Sequence, residues 1–507
     1  MNIKTLWVTI VTLCLCLTTA EAEVVGVEVI HECDTTWRFG YSGIYVYARN
    51  MHRIDIAYPS VDAKGNAVRL SGSIIIPSNI YDDGDPVDGM VLYNRYTQTE
   101  PRCVPTRGFA ESESAILASP LKPNWILVES DFYGFGVSSE HLVDQYYVYG
   151  DANGYASIDC LLAARQVLDE RHISQGKFLF NVGLSSGGYD ALATQRVRDM
   201  YYRDKVFFDK TMVGEAPFDV NITYSHCLQH QDDDTRLSSF VPLVLESFNR
   251  NDSLGFTYQQ MFTEPLASKF QEWFYSGKYS KKAARDSIKK SGNRLSQVLS
   301  PALLDSSTVE YHKLREAFER RSLTKGWTPD RSQRYFYMHY TRDKAVPIDA
   351  GRALLTFLTS KGFEKSLIPE KTNLQTCMYI PSDSHGLCGA HFLLKVSAML
   401  AAYPVLYYDG ELNTYYYDII KDLTPMGIVK KLENEGYDLS SMLDNLTGGR
   451  LPERVNVITL ALALTTLNEP LLEWGTNVKE LTQIASDSGL ELSDMVTIIN
   501  YLQSKNR

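Results

Sequence analysis

A serine between two glycines is the most informative chemical feature of the chain. The segment Gly183-Leu-Ser-Ser-Gly187 follows the apolar run Lys177–Val182 and precedes a helical pattern. This strand–turn–helix context is typical of a nucleophile elbow, where glycines relieve crowding at a sharp backbone bend. The bend exposes the hydroxyl, and the next N–H points with the helix N-terminus toward an oxyanion. We predict Ser185 as the nucleophile and the Ser186 N–H as one oxyanion donor; a tight glycine turn with an ordinary capping serine is the alternative.

A serine hydroxyl needs a base, and the base needs a carboxylate that orients it. After this kind of turn, the chain order is serine, then the acid, then histidine. Asp343 follows the apolar run Tyr335–Tyr340, so it should lie past the carboxyl end of a strand, where sites form in open α/β sheets. Asp349 is the competing acid, but it falls inside the next predicted helix.

The base is predicted to be His385, on a loop after the apolar run Met378–Ile380. Two other histidines compete. His339 lies within a predicted strand, where a packed, hydrogen-bonded ring is expected. His391 precedes an apolar stretch and should begin the last helix. We therefore favour His385 over both.

The elements that must position these residues follow from apolar periodicity. An antiparallel pair is predicted over residues 51–78, with a turn at Ala63–Asn66. Short buried runs then alternate with helices, which indicates βαβ units and a mostly parallel sheet. The runs are Met90–Tyr93, Trp125–Ser130, Lys177–Val182, Tyr335–Tyr340 and Met378–Ile380, and the helices are Ser157–Leu168, Gly187–Met200 and Ile348–Lys361.

Two stretches break this alternation. Residues 225–330 are charged, aromatic and helical in pattern, as over Ala267–Phe274 and Ser280–Ser291, and they predict a helical insertion. Residues 405–507 contain two similar segments that begin at Gly436 and Gly489, each with Gly ending one helix and Leu-Ser opening the next. They predict a small all-α module that could dock a partner or clamp the main domain.

Taken in order, these segments resemble the α/β-hydrolase family, especially its secreted lipase and esterase branch. Beside the segments around Ser185, Asp343 and His385, the resemblance rests on Ser71-Gly-Ser-Ile-Ile-Ile-Pro, Asp131-Phe-Tyr-Gly-Phe-Gly-Val-Ser and Gly214-Glu-Ala-Pro-Phe-Asp. It covers residues 50–404. It implies a Ser185–Asp343–His385 triad, acyl-enzyme chemistry and a lid made of the 225–330 insertion.

One departure concerns the oxyanion hole. The family often carries His-Gly after the early strand, where a backbone N–H completes the hole. This chain instead reads Leu92-Tyr-Asn-Arg-Tyr-Thr-Gln98. We assign the second donor to the N–H of Tyr96.

Composition and the N-terminus indicate where the protein is located and which partners it does not bind. Met1–Ala22 reads as a secretory signal with Lys4, an apolar core and an Ala-x-Ala site. The apolar core is shorter than the run of about 20 residues that spans a bilayer, and a retained anchor is the alternative interpretation. It predicts a secreted or periplasmic protein whose α/β domain spans residues 23–404. Fifty Lys and Arg against 61 Asp and Glu give a net charge of −11, which lacks the footprint of a nucleic-acid binder. Cys160 is expected to be a buried free thiol.

The sequence thus predicts a serine hydrolase without metal or cofactor, acting on a small-molecule, glycan or lipid ester. A serine peptidase of the same fold is the first alternative, for which Asp232-Asp-Asp234 could bind a peptide terminus, although a solvated loop is the simpler interpretation of that segment. A binding protein that kept the fold and lost turnover is the second.

Overall fold

The structure is a computed structural model that describes residues 26–41, 44–108, 114–119, 121, 123–233, 240–366, 373–377 and 384–407. The predicted signal segment lies outside these residues, as does the C-terminal module beyond residue 407. Within them, no helix combines the length and the apolar character needed to cross a membrane. The domain boundaries at residues 22 and 404 stay predictions.

The described chain forms a ten-stranded sheet in the order β1-β2-β3-β5-β4-β6-β7-β8-β10-β9. The first three strands and β5 pair antiparallel, and every pairing from β5 to β9 is parallel. The strands are β1 (Glu28–Tyr41), β2 (Ile44–Val61), β3 (Ala67–Pro77), β4 (Gly89–Asn94), β5 (Trp125–Ser130), β6 (Phe178–Leu184), β7 (Lys210–Gly214), β8 (Tyr335–Met338), β9 (Lys365–Ser366) and β10 (Leu374–Cys377).

Helices cover the sheet and fill the connections between its strands. They are α1 (Ser78–Tyr81), α2 (Ser114–Leu117), α3 (Ala152–Glu170), α4 (Ser186–Tyr201), α5 (Val220–Gln229), α6 (Phe240–Asn251), α7 (Tyr258–Met261), α8 (Leu266–Tyr275), α9 (Lys281–Ser291), α10 (Leu295–Val298), α11 (Pro301–Leu304), α12 (Val309–Arg321), α13 (Ile348–Ser360) and α14 (His385–Tyr407), with 3-10 turns at Pro105–Arg107 and Gly136–Asp144.

The central strands are buried on both faces, which explains their continuous apolar runs. On one face, the ring of Phe180 packs 4.7 Å from that of Tyr403 in α14, and the Trp125 indole donates to the Leu400 carbonyl at 3.0 Å. On the other face, α3 packs its buried side chains, Cys160 and Leu161 among them, against β5. Cys160 is a fully buried free thiol, as predicted.

The long connection from β7 to β8 holds the helical insertion, α5 to α12. It has its own apolar core, in which the Phe248 and Phe318 rings meet edge to face at 4.6 Å. The predicted helix at residue 280 begins where Ser280 caps α9, its hydroxyl accepting from the Ala283 N–H at 3.1 Å. A mostly parallel sheet with a helical insertion is therefore confirmed.

Some predicted elements differ from the structure. His385 is the first residue of α14 and not a loop residue, because Ser384 caps this helix through its side chain and its carbonyl. His391 consequently lies in the second turn of that helix and does not begin it. Strand β10 ends at Cys377, and the predicted run Met378–Ile380 lies outside the described residues. Strands β1, β7 and β9 were not predicted.

Candidate active site

Ser185 sits at the sharp turn between β6 and α4. Its backbone is left-handed, with φ 55° and ψ −128°, a conformation that is costly for a residue with a side chain. A Cβ on Gly183 would lie 2.0 Å from the Gly187 carbonyl oxygen, and one on Gly187 would lie 2.1 Å from that of Asn94. Both glycines are therefore required for close backbone packing, which holds the serine at the end of β6.

The structure brings the three predicted side chains into one line. Ser185 Oγ lies 2.9 Å from Nε2 of His385, and Nδ1 of the same ring lies 2.7 Å from Oδ2 of Asp343. The Asp343 side chain is fully buried, whereas that of His385 is 25% exposed. Because Nδ1–H can donate to the carboxylate, Nε2 is left to accept the serine proton.

Asp343 is held from several directions. Its Oδ1 accepts the N–H groups of Ala345 at 2.7 Å and Val346 at 3.1 Å. Its Oδ2 faces His385 and also lies 3.3 Å from Nε2 of His339. Burial alone would raise the pKa of Asp343, but the charge of His385 and hydrogen bonds from His339 and His385 lower it well below its usual range. The carboxylate is thus ionised and fixed in one orientation.

His339 supports this acid and does not compete for the role of base. Its Nε2 lies 3.0 Å from the Val346 carbonyl, which can only accept, so Nε2 carries the hydrogen. Its Nδ1 therefore accepts from the Tyr337 hydroxyl at 2.5 Å. The ring is completely buried, matching the packed histidine expected from the sequence.

The other candidates lie away from the serine's partners. Asp349 is exposed in the first turn of α13 and pairs with Arg352 at 2.8 Å. His391 meets the Tyr340 hydroxyl at 3.2 Å, and burial lowers its pKa to about 4. Neither replaces Asp343 or His385 in the line to Ser185.

An apolar cavity of about 770 Å³ has both Ser185 and His385 in its wall. This volume is within the range of small-molecule sites. Helices α5, α6 and α12 form its far wall, and α14 closes another side. Its apolar lining includes Val220, Tyr224, Val241, Val244, Leu245, Phe318, Val346 and Leu393.

Solved structures share this architecture. A candidate hydrolase from Legionella pneumophila is 15% identical with a TM-score of 0.60, and the match covers 74% of this chain and 98% of that one. The rice cell wall degrading esterase LipA from Xanthomonas oryzae is 16% identical with a TM-score of 0.59, over 73% and 96% of the two chains. This chain has the α/β-hydrolase fold. Candida antarctica lipase A in its closed state also matches, at 13% identity and a TM-score of 0.52, over 76% of this chain and 83% of that one. No protein-family model matches the chain, and no curated protein matches it either.

Two residues next to Ser185 are candidates for the oxyanion hole of this α/β-hydrolase fold. Ser186 is the first residue of α4, so its N–H has no acceptor within the helix. Tyr96 lies in the loop after β4, and both residues line the cavity with Ser185. The Thr97 hydroxyl donates to the Ser186 hydroxyl at 3.2 Å, which ties the two segments together.

The insertion contacts the same loop. The backbone N–H of Lys281, at the start of α9, donates to a Glu100 carboxylate oxygen at 2.8 Å. The ammonium of Lys281 lies 5.0 Å from the centre of the Tyr96 ring. The loop that carries Tyr96, the predicted second oxyanion donor, is therefore bound to the helical insertion.

Sequence reasoning missed Glu215, which follows β7. Its buried side chain brings Oε2 to 3.3 Å from Nδ1 of His385. The residue lies within the Gly214–Asp219 segment that supports the resemblance, and its place at a strand's carboxyl end was the available signal. Glu215, Asp343 and His385 each offer a ligand atom within 4.8 Å of the others, as a metal would require. Nδ1, however, faces the Asp343 carboxylate at 2.7 Å and carries the proton donated to it, so a metal bound by these three groups would have to displace that proton.

The acidic segment Asp232–Asp234 is described only in part. Asp232 accepts from the Ser296 hydroxyl at 2.5 Å, and Asp233 lies 2.8 Å from Nδ1 of His230. Asp234 lies outside the described residues. Neither described aspartate lines the cavity beside Ser185.

Proposed function

We propose that this protein is a secreted serine hydrolase that cleaves carboxylic esters through an acyl-enzyme intermediate. The observation that carries the proposal is the unbroken line from Ser185 Oγ through both ring nitrogens of His385 to the buried Asp343 carboxylate. This is the geometry by which a histidine activates a serine hydroxyl. The predicted signal segment Met1–Ala22 provides the route out of the cytoplasm.

Acylation begins when Ser185 Oγ attacks the ester carbonyl and His385 Nε2 takes the serine proton. The carbonyl oxygen becomes an oxyanion, and we assign its stabilisation to the N–H groups of Ser186 and Tyr96. The bond from the carbonyl carbon to the alcohol oxygen then breaks, and His385 returns its proton to that oxygen. An alcohol leaves, and the acyl group stays on Ser185.

Deacylation repeats the sequence with water. His385 takes a proton from water as the water oxygen attacks the acyl carbon. The bond to Ser185 Oγ breaks, the serine regains its proton from His385, and a carboxylic acid is released. Throughout, Asp343 fixes the proton on Nδ1 and stabilises the imidazolium without itself taking the proton.

The lining of the cavity supports an ester with an apolar acyl or alcohol group. Burying a hydrocarbon chain against Val241, Val244 and Leu245 gains free energy with each methylene removed from water. The ammonium terminus of a peptide would lose its hydration there without gaining a counter-ion from the described acidic segment. Small-molecule, lipid or acylated-glycan esters with an apolar part therefore fit better than peptides.

The test compares Ser185→Ala with wild type on p-nitrophenyl butyrate. We expect the variant to lose hydrolysis while keeping the wild-type melting temperature. Ser306→Ala, at an exposed serine of the insertion, is the matched control and should retain full activity. A Ser185→Ala protein with the wild-type rate would contradict the proposal.

Two further measurements separate the alternatives. A fluorophosphonate probe should label wild type on Ser185, as mapped by mass spectrometry, and an unlabelled protein would favour an inactive binding protein. An aminoacyl-amide assay run beside the ester assay should show faster ester cleavage, and the reverse order would favour the peptidase.

A further inference from the structure

Glu215 is buried and has an unfavourable backbone conformation, and neighbouring segments leave space for its side chain. Its backbone has a φ of 35°, a region that a residue with a side chain rarely adopts, and its N–H is fixed by the Met338 carbonyl at 2.9 Å. In α14, a Cβ on Gly389 would lie 3.1 Å from Glu215 Oε1. The turn after β7 and the missing side chain on α14 together provide the space for a buried carboxylate.

Burying a carboxylate is unfavourable unless a partner offsets the lost hydration. The partner here is the imidazole of His385, whose Nδ1 lies 3.3 Å from Glu215 Oε2 and 2.7 Å from Asp343 Oδ2. The other titratable groups facing Glu215 are Cys388, from α14, and Tyr337, from β8. Burial raises the pKa of both, so they remain neutral and leave the imidazole as the cation of this cluster.

We propose that Glu215 is a positioning residue for His385: a second carboxylate on Nδ1 that stabilises the imidazolium formed when Ser185 gives up its proton. This role rests on the proposed function of Ser185, His385 and Asp343. The proton travels from Ser185 Oγ to Nε2 and on to the leaving oxygen, and none passes to Glu215.

The arrangement has a consequence for pH dependence. Burial alone would lower the pKa of His385, but the charges of Glu215 and Asp343 raise it above the ordinary value of 6.5. Burial and the neighbouring charge of Asp343 also raise the pKa of Glu215, whereas the charge of His385 lowers it, so Glu215 ionises most readily while the imidazole is protonated. Because His385 must be neutral to accept the serine proton, hydrolysis should increase as pH rises through the raised histidine pKa. This increase is the acid limb of the pH profile, and removing the Glu215 charge should move it to lower pH.

The experiment measures kcat/KM for p-nitrophenyl butyrate between about pH 5 and pH 10 with wild type and Glu215→Gln. The amide keeps the shape of the side chain and removes its charge. An opposite charge at this distance shifts a pKa by about 1–3 units, so the acid limb should move down by about 1 unit or more. Asp349→Asn, which removes an exposed acid of α13, is the control and should leave the limb in place.

A second readout does not depend on turnover, and its wild-type arm does not depend on the folding of the variant. NMR titration of the His385 ring in wild type should give a pKa above 6.5, and Glu215→Gln should lower it. An unmoved acid limb, or a wild-type ring pKa at or below 6.5, would overturn the role of Glu215. A wild-type protein without Ser185-dependent hydrolysis, whose His385 pKa still fell in Glu215→Gln, would contradict the proposed function. The electrostatic effect of Glu215 on His385 would still be supported.

Discussion

Replacing Asp343 with Asn tests the orientation of the acid as well as its charge. Oδ1 accepts two backbone N–H groups, from Ala345 and Val346, so the amide oxygen of an asparagine must take that position. Its NH₂ group is then forced into the place of Oδ2, 2.7 Å from Nδ1 of His385. An NH₂ group can only donate, so Nδ1 must become the acceptor.

This reversal places the ring proton on the wrong nitrogen. With Nδ1 accepting, the hydrogen of the neutral imidazole lies on Nε2, which faces Ser185 Oγ at 2.9 Å. Nε2 can then no longer take the serine proton. In a Ser-His-Asp constellation, this change of tautomer lowers kcat about 10⁴-fold, equivalent to about 5.4 kcal/mol of transition-state stabilisation.

Glu215 is expected to decide how much activity remains. Its Oε2, 3.3 Å from Nδ1, still favours a hydrogen on that nitrogen in Asp343→Asn. We therefore expect the single variant to keep a residual rate that falls further in Asp343→Asn/Glu215→Gln, measured as kcat/KM on p-nitrophenyl butyrate. Fluorophosphonate labelling of Ser185 should slow in parallel. A folded double variant within tenfold of wild type would refute the assignment of Asp343.

Two further predictions concern the cavity and the nucleophile turn. Each methylene moved from water into the cavity contributes about 0.8 kcal/mol, so kcat/KM should rise about fourfold per added acyl methylene. Val244→Trp, which fills the cavity from α6, should abolish this rise for longer chains and leave kcat/KM for the acetate ester unchanged. An unchanged chain-length profile would argue against this cavity as the acyl site. Gly187→Ala would place a Cβ 2.1 Å from the Asn94 carbonyl oxygen, and it should lower the free energy of unfolding in urea by about 1–3 kcal/mol or more. The control is Gly26→Ala, where a Cβ meets nothing within 4 Å, and equal stability of the two variants would show that the turn is not tightly packed.

The sequence predicted the parts of the site that local pattern determines. Ser185 lies in a short glycine-flanked turn, and its neighbours in the chain are also its neighbours in space. Asp343 was predictable because the carboxyl ends of parallel strands meet at one edge of a sheet. His385 was predicted as a residue, although the cap from Ser384 places it on a helix.

The missed features depend on contacts between distant segments. Glu215 acquires its environment from α14, which begins 170 residues later, and no local pattern reports that meeting. Strand β7 has only five residues and starts at a lysine, so its apolar signal is weak. Strand β1 is polar along much of its length, as an edge strand can be. In both, pairing with neighbouring strands determined the structure more than intrinsic preference did.

Ser185 follows β6, Asp343 follows β8 and His385 begins α14, so none of the three side chains in this line comes from the insertion. The insertion instead supplies the far wall of the cavity, through α5, α6 and α12. Reactivity and selectivity are thus built from separable pieces of the chain. Residues of that wall could therefore be exchanged to change which molecules the cavity accepts, without altering Ser185, His385 or Asp343, provided that the hydrogen bond from Lys281 to Glu100 is kept.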